Sequence, residues 1–232
     1  MNRAIIFDVD GTLAETEENH RKAFNRAFQR AGLSWSWGQD LYRELLAVTG
    51  GKERIRFFIE KHSPAGAPTR DLDDFIRALH ADKTTAYTQL VSAGELALRP
   101  GVRSVIATAR RKGIRLALAT TTTPANVDAL LQATYGEAGG DLFEVICAGD
   151  SVPNKKPAPD VYLRTLEELD LPAGSCVAVE DSRNGLLAAR AAGIRTIVTP
   201  GVYTRDENFD EAAIVVDDLE SLDFKAIEAL LR

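Results

Sequence analysis

The chain has 232 residues, 45% of them hydrophobic and 27% charged, a mix that fits a soluble globular protein and excludes collagen, coiled coil and intrinsic disorder as the main theme. The formal net charge of -6 argues against a broad nucleic-acid-binding surface, which needs an excess of Lys and Arg. Small anions stay within reach, because a bound cation and a few placed basic side chains reverse the field locally.

The elements follow in chain order. Residues 4–7 are an apolar run ending in Asp8-Val9-Asp10-Gly11-Thr12, which predicts a buried parallel strand entering a glycine turn. Acidic residues follow so soon that no secretory signal is expected. No apolar stretch approaches the roughly 18 residues that suggest a membrane span, so no membrane is expected either. From about residue 16 to 93 apolar residues recur at helical spacing, beginning with Ala23, Phe24, Ala27, Phe28 and Ala31. Residues 63–68 read as a loop within this stretch. Trp35 and Trp37 read as its core or surface, and His62 and His80 as surface residues. After Arg99-Pro100-Gly101 a helix is expected over 102–112, a strand over 115–119, a helix from Pro124 and a short strand at 145–146. A helix after Pro159, a strand over 176–179, a helix over 185–192 and a closing strand over 194–198 complete the series.

Strands alternating with helices predict an α/β fold, a doubly wound parallel-sheet (Rossmann-like) core covered on both faces. The first strand belongs with the second half of the chain. The core is therefore expected at 1–15 and 95–232, with an inserted α-helical cap over 16–94 and hinges near 14–17 and 93–100. The two cysteines, Cys147 and Cys176, are far apart and lack any Cys-x-x-Cys partner. They read as buried reduced thiols, and a cytoplasmic setting is the expectation.

Ligands of an open parallel sheet bind beyond the carboxyl ends of its strands. Asp8 and Asp10 follow the first strand, Thr120 and Thr121 the next, Lys156 a third, and Glu180 and Asp181 a fourth. Four strand ends thus aim two carboxylate pairs, hydroxyls and a lysine at one crevice. With these residues on the page, Asp8-Val9-Asp10-Gly11-Thr12-Leu13 resembles the opening motif of the haloacid-dehalogenase-type phosphohydrolases, and Thr120, Lys156 and Glu180-Asp181 stand where that superfamily places its later motifs. The helical insert resembles the cap of the beta-phosphoglucomutase-like branch. Within it, Thr49-Gly50-Gly51-Lys52-Glu53-Arg54-Ile55 is similar to the cap segment of CbbY-type sugar bisphosphate phosphatases. The resemblance implies a phosphatase acting on a sugar bisphosphate, with xylulose-1,5-bisphosphate as substrate and a link to removing inhibitory sugar phosphates from Rubisco in the Calvin cycle. Two departures stand out. A Thr replaces the usual Asn after Thr120, and Ala14-Glu15 replaces a further Asp.

The chemistry also follows from the residues. A carboxylate can attack phosphorus and form an aspartyl phosphate, and Asp8, at the strand end, is the better-held nucleophile. Asp10 on the turn is expected to protonate the leaving alkoxide and then deprotonate water, which needs its pKa raised above that of Asp8. Like charges at ~4 Å repel by about 4 kcal/mol at an effective dielectric of 20, so four carboxylates need a cation before a phosphate can enter. Mg2+ is the expected cofactor, held by Asp8, Asp181 and the Asp10 carbonyl with Glu180 close by. Lys156 and Thr120 would face the transferring phosphoryl group, with the Thr121 and Thr122 N–H groups completing the cradle. Ser182 and Thr123 read as helix caps, and Lys155 as surface charge. In the cap, His20, Lys52 and Arg54 are candidate anion readers and Glu17 a candidate acceptor for sugar hydroxyls. The pairing of Lys52 with Arg54 is the reason to expect a bisphosphate. The partner expected is a small sugar phosphate substrate, with no nucleic acid or membrane, and the chain is expected to be a monomer. A sugar phosphomutase uses the same residues and stays open, as does a catalytically silent metal- and phosphate-binding regulator.

Overall fold

The computed structural model describes residues 2–94 and 96–231. The expected boundary at residue 95 and the outer limits at 1 and 232 lie outside the described residues. Six strands, β1 (Ala4–Phe7), β2 (Arg115–Ala119), β3 (Val145–Cys147), β4 (Cys176–Glu180), β5 (Arg195–Val198) and β6 (Ile214–Val215), form one sheet in the order β3-β2-β1-β4-β5-β6. Every pairing is parallel. The strand order reverses at β1, whose Phe7 pairs with Leu118 on one side and Val179 on the other. Such a reversal opens a crevice at the carboxyl ends, so the chain leaves β1 into it at Asp8.

The side chains of β1 alternate between two cores. Ile5 and Phe7 join one apolar cluster with Leu118, Val105 and Leu130, while Ala4 and Ile6 join another with Tyr162, Leu166 and Ala188. Helices α5 (Val102–Arg111), α6 (Pro124–Tyr135) and α9 (Phe224–Leu230) cover the first face, and α7 (Asp160–Leu169) and α8 (Arg183–Ala191) the second. Burial on both faces is why these strands are continuous apolar runs. Full burial of Ile5, Ile6 and Phe7 stabilises the sheet by about 1.5–3 kcal/mol each.

The expected closing strand is followed by another. β6 has two residues at the sheet edge, one of them exposed, too short to show a periodicity. α9 likewise follows the last expected element.

Between β1 and β2 run α1 (Glu17–Arg30), α2 (Gln39–Leu45), α3 (Gly51–His62) and α4 (Leu72–Ala93). They enclose a cluster rich in aromatic side chains in which Trp37 and Tyr42 are fully buried and Trp35 nearly so. The Phe24 and Trp37 rings lie 4.5 Å apart. The two linkers joining this helical stretch to the sheet lie side by side. Ala14 bridges Leu98, and Arg99 N–H donates to the Leu13 carbonyl at 2.8 Å. The Arg99 guanidinium donates to the carbonyls of Thr199 (2.6 Å) and Pro200 (2.8 Å), and also to that of Gly11. No helix among the described residues is long and apolar enough to cross a membrane.

Candidate active site

The carboxyl end of the sheet and the facing sides of α1, α3 and α4 enclose one pocket. Its floor holds Asp8, Thr120, Thr121, Lys156 and Asp181, and its roof holds Glu17, His20, Arg54, His80 and Lys83, with Asp10 between.

Lys156 organises the floor. Its Nζ donates to Asp8 Oδ1 at 2.6 Å, to Glu180 Oε1 at 2.7 Å and to the Ala119 carbonyl at 2.9 Å, which uses all three ammonium hydrogens. Tyr162, from α7, also donates to Glu180 Oε1, and its ring centroid lies 5.2 Å from Lys156 Nζ. Glu180 is the last residue of β4 and wholly buried, and its Oε2 has no partner. Carboxylate oxygens of Asp8, Glu180 and Asp181 come within 4.8 Å of one another. Two glycines make the crowding possible. A Cβ at Gly11 would stand 2.2 Å from Asp181 Oδ2, and one at Gly185 2.0 Å from Glu180 Oε2.

Burial pushes the Asp8 carboxyl up to about 8, with Glu180 adding to the rise and Lys156 only partly opposing it. Asp181 is driven well above the carboxylate range by burial and then by Asp8 and Glu180. Lys156 is raised as well, which for a lysine favours the charged form. Burial pulls it down, but Asp8 and Glu180 more than offset this and hold it charged. Three buried carboxylates sharing one ammonium, with an oxygen left unpartnered, fit a hard divalent cation that takes oxygen ligands. The Asp10 carboxylate lies outside that cluster.

Asp10 stands in the opposite environment, which corrects the expectation that its pKa is the higher of the two. Thr16 Oγ1 donates to Asp10 Oδ1 at 2.6 Å, and His20 Nε2 stands 2.9 Å from the same oxygen. Lys83 Nζ lies 2.7 Å from His20 Nδ1. Burial alone would raise Asp10, yet His20, Thr16 and Lys83 together hold it well below the usual range. His20 on α1 and Lys83 on α4 reach Asp10 only because those helices stand over the sheet, whereas the carboxylates near Asp10 are already evident in the chain. A charged Lys83 donates to Nδ1, which leaves the His20 proton on Nε2, facing Asp10. His20 also stacks on Tyr87, the rings 4.1 Å apart. Lys83 itself is lowered to about 8 by burial.

Thr120 is buried, and its Oγ1 accepts from the Thr122 N–H at 3.2 Å. Asn126, one turn into α6, donates through Nδ2 to Thr122 Oγ1 at 2.9 Å, so an amide reaches this wall from the helix although position 121 lacks one. Ser182 caps α8 as expected, accepting from Gly185 N–H at 3.3 Å. Thr123 occupies the cap position of α6, but its side chain makes no capping bond.

Of the remaining expected residues, Glu17 and Arg54 meet in the roof. Arg54 is buried and donates to the Tyr42 hydroxyl at 3.1 Å, and that hydroxyl donates to Glu17 Oε2 at 2.6 Å. Lys52 does not join them. It turns out of the pocket and pairs with Asp150 across the helix–sheet boundary. Lys155, read as surface charge, is mostly buried and donates to Asp150 Oδ1 at 3.0 Å. His80, read as a surface residue, lines the pocket. Lys83, Tyr162, Asn126 and His80 escaped the sequence reading. Lys83 had a signal, since it interrupts the apolar stripe Ile76, Leu79, Ala86, Tyr87 of α4, and a lysine at such a position needs a partner.

A sequence profile of the haloacid dehalogenase-like hydrolases matches residues 2–193. The chain therefore belongs to that family and is an enzyme, a phosphatase. It is 51% identical over 230 residues to Protein CbbY of Rhodobacter capsulatus, covering 98% of each chain. The crystal structure of CbbY from Rhodobacter sphaeroides in complex with phosphate is 49% identical, with a TM-score of 0.93 over 98% of this chain and 100% of that one. The D10N mutant of that protein in complex with xylulose-(1,5)bisphosphate is 50% identical, with a TM-score of 0.91 over 96% of both chains.

Proposed function

We propose that the chain hydrolyses one phosphate ester of a small sugar bisphosphate, xylulose-1,5-bisphosphate first among candidates, through an aspartyl phosphate on Asp8. The observation that carries this reading is the Asp8–Lys156 contact of 2.6 Å inside the buried carboxylate cluster, facing the Asp10–His20–Lys83 chain. The relative solved with xylulose-(1,5)bisphosphate supports the substrate. Residues 16–94 act in this reading as a cap that closes the pocket and excludes water.

Asp8, Asp181 and Glu180 would hold Mg2+, with the Asp10 carbonyl as a further ligand. Bound there, Mg2+ offsets the carboxylate charges and the charge of the phosphoryl group. Asp8 Oδ attacks phosphorus as the ester P–O bond breaks. Lys156 and the Thr120 hydroxyl hold the transferring oxygens, and the N–H groups of the Thr121–Thr122 turn complete the cradle. The leaving alkoxide takes its proton through Asp10 from His20 Nε2, 2.9 Å away, as Lys83 passes a proton to His20 Nδ1 at 2.7 Å, and Asp10 is left as a carboxylate. In the second step Asp10 removes a proton from water, the hydroxide attacks phosphorus, and Asp8 is released as a carboxylate. Arg54, a planar fork in the roof, suits the second phosphate.

The test is phosphate release from a panel of sugar mono- and bisphosphates, with Mg2+ and with chelator. Turnover of the bisphosphate that needs Mg2+ supports the reading. Isomer formation without phosphate release would make the chain a mutase, and no turnover of any phosphate ester would make it a silent binding protein.

A further inference from the structure

His80 takes no part in the chemistry above, yet it occupies the substrate pocket. It sits on α4 one turn before Lys83, and the fold makes room for it deliberately. A Cβ at Gly51, the first residue of α3, would stand 2.4 Å from His80 Nε2 and 2.6 Å from its Cδ2. Gly51 has no positive φ among the described glycines, so backbone strain does not demand a glycine there; the imidazole does. Outside the helix ladder its carbonyl accepts from Thr84 Oγ1 at 3.0 Å, and among the described residues no hydrogen bond reaches its ring nitrogens. The ring nitrogens are thus left to the pocket.

Its surroundings fix the form of the ring. Burial and then the neighbouring Lys83 and Lys52 pull the His80 pKa down to about 3, while Asp150 opposes them weakly. A neutral imidazole offers one N–H donor and one N acceptor. That pair matches a carbinol hydroxyl, which both donates and accepts, better than it matches a phosphate, which only accepts. Arg54 and Lys83 already supply positive charge to this roof.

We propose that His80, seated against Gly51, is a specificity residue that hydrogen-bonds a hydroxyl of the sugar chain. The inference rests on the sugar phosphate reading above and extends it to a residue that reading does not use. A site built to pair with a hydroxyl discriminates against substrates lacking one, because its own polar group is then left unpaired.

The experiment measures kcat/KM for a sugar bisphosphate, a sugar monophosphate and an aryl phosphate without hydroxyls, in the wild type and in the variants His80→Ala, Gly51→Ala and both together. His80→Ala should lower the ratio of sugar phosphate to aryl phosphate kcat/KM by about tenfold, for mono- and bisphosphate alike. Gly51→Ala, which pushes the ring from its seat, should lower the ratio in the same direction, and the double variant should add little to His80→Ala. An unchanged ratio in His80→Ala overturns the proposal, as does a fall confined to the bisphosphate, which would make His80 a phosphate reader. Equal losses on all three substrates, with a lowered Tm, also overturn it by assigning His80 a structural role. Failure of the sugar phosphate reading is seen separately, in a wild type that turns over the aryl phosphate and no sugar phosphate.

Discussion

The floor and the roof of the pocket handle charge in opposite ways. The floor gathers Asp8, Glu180 and Asp181 around Lys156, three carboxylates to one ammonium, with Glu180 Oε2 unpartnered. The roof closes its own accounts: Arg54 reaches Glu17 through Tyr42, and Lys83 reaches Asp10 through His20. Two aspartates only two residues apart are consequently driven in opposite directions, Asp8 up to about 8 and Asp10 below the carboxylate range. The contrast teaches that the floor concentrates like charges around a single ammonium, an arrangement that fits a cation, whereas the roof spreads its charges over the partnered chains Arg54–Tyr42–Glu17 and Lys83–His20–Asp10.

The contrast can be broken most completely at Asp8. Asp8→Asn keeps the shape but removes the nucleophile, and kcat for any phosphate ester should fall by roughly 10^4-fold or more. Retained turnover would remove Asp8 from the chemistry. Next comes the roof's proton chain. Lys83→Met leaves His20 without its Nδ1 partner, and kcat should fall about 100-fold with KM little changed. A pure KM effect would make Lys83 a substrate anchor instead. Arg54→Ala should raise KM for a bisphosphate by about 10- to 100-fold over its effect on a monophosphate; equal effects on both would remove the argument for a second phosphate in the roof.

Stability sharpens the same comparison with smaller effects. Asp181→Asn removes a carboxyl that burial and its neighbours Asp8 and Glu180 keep from ionising as it would in the unfolded chain. In chelator it should gain about 1 kcal/mol, or roughly 2–4 °C in Tm, and adding Mg2+ should raise its Tm less than that of the wild type. A variant that is less stable without Mg2+ would show that the floor is not strained. The smallest effect belongs to His80. Its pKa falls from 6.5 in the unfolded chain to about 3 in the fold. Between those values the unfolded chain binds a proton that the folded protein refuses, so His80 costs the fold stability increasingly as pH drops from 6.5 toward 3. Lys83, Lys52, His20 and Asp150 face the ring and set this window. His80→Gln should therefore show a shallower loss of Tm on the acid side, and an unchanged acid limb would mean that His80 accepts a proton freely.

The sequence alone determined the strands that carry the chemistry. β1, β2 and β4 are apolar runs that meet a polar residue at their carboxyl ends, Asp8, Thr120 and Glu180, and such runs are legible because both faces of these strands are buried. It determined which strand ends meet, because parallel strands deliver their carboxyl ends to one side. Its motifs at Asp8, Thr120, Lys156 and Asp181 all line the floor. Only the tertiary structure decided the roof. Lys52 and Arg54 are two residues apart on α3, yet one turns out to Asp150 and the other turns in to Tyr42. Lys83 lies 63 residues from the histidine it touches. Protonation states depend on such long-range neighbours and on burial, neither of which has a local pattern, and so the inversion of Asp8 and Asp10 appears only once the cap helices stand over the sheet.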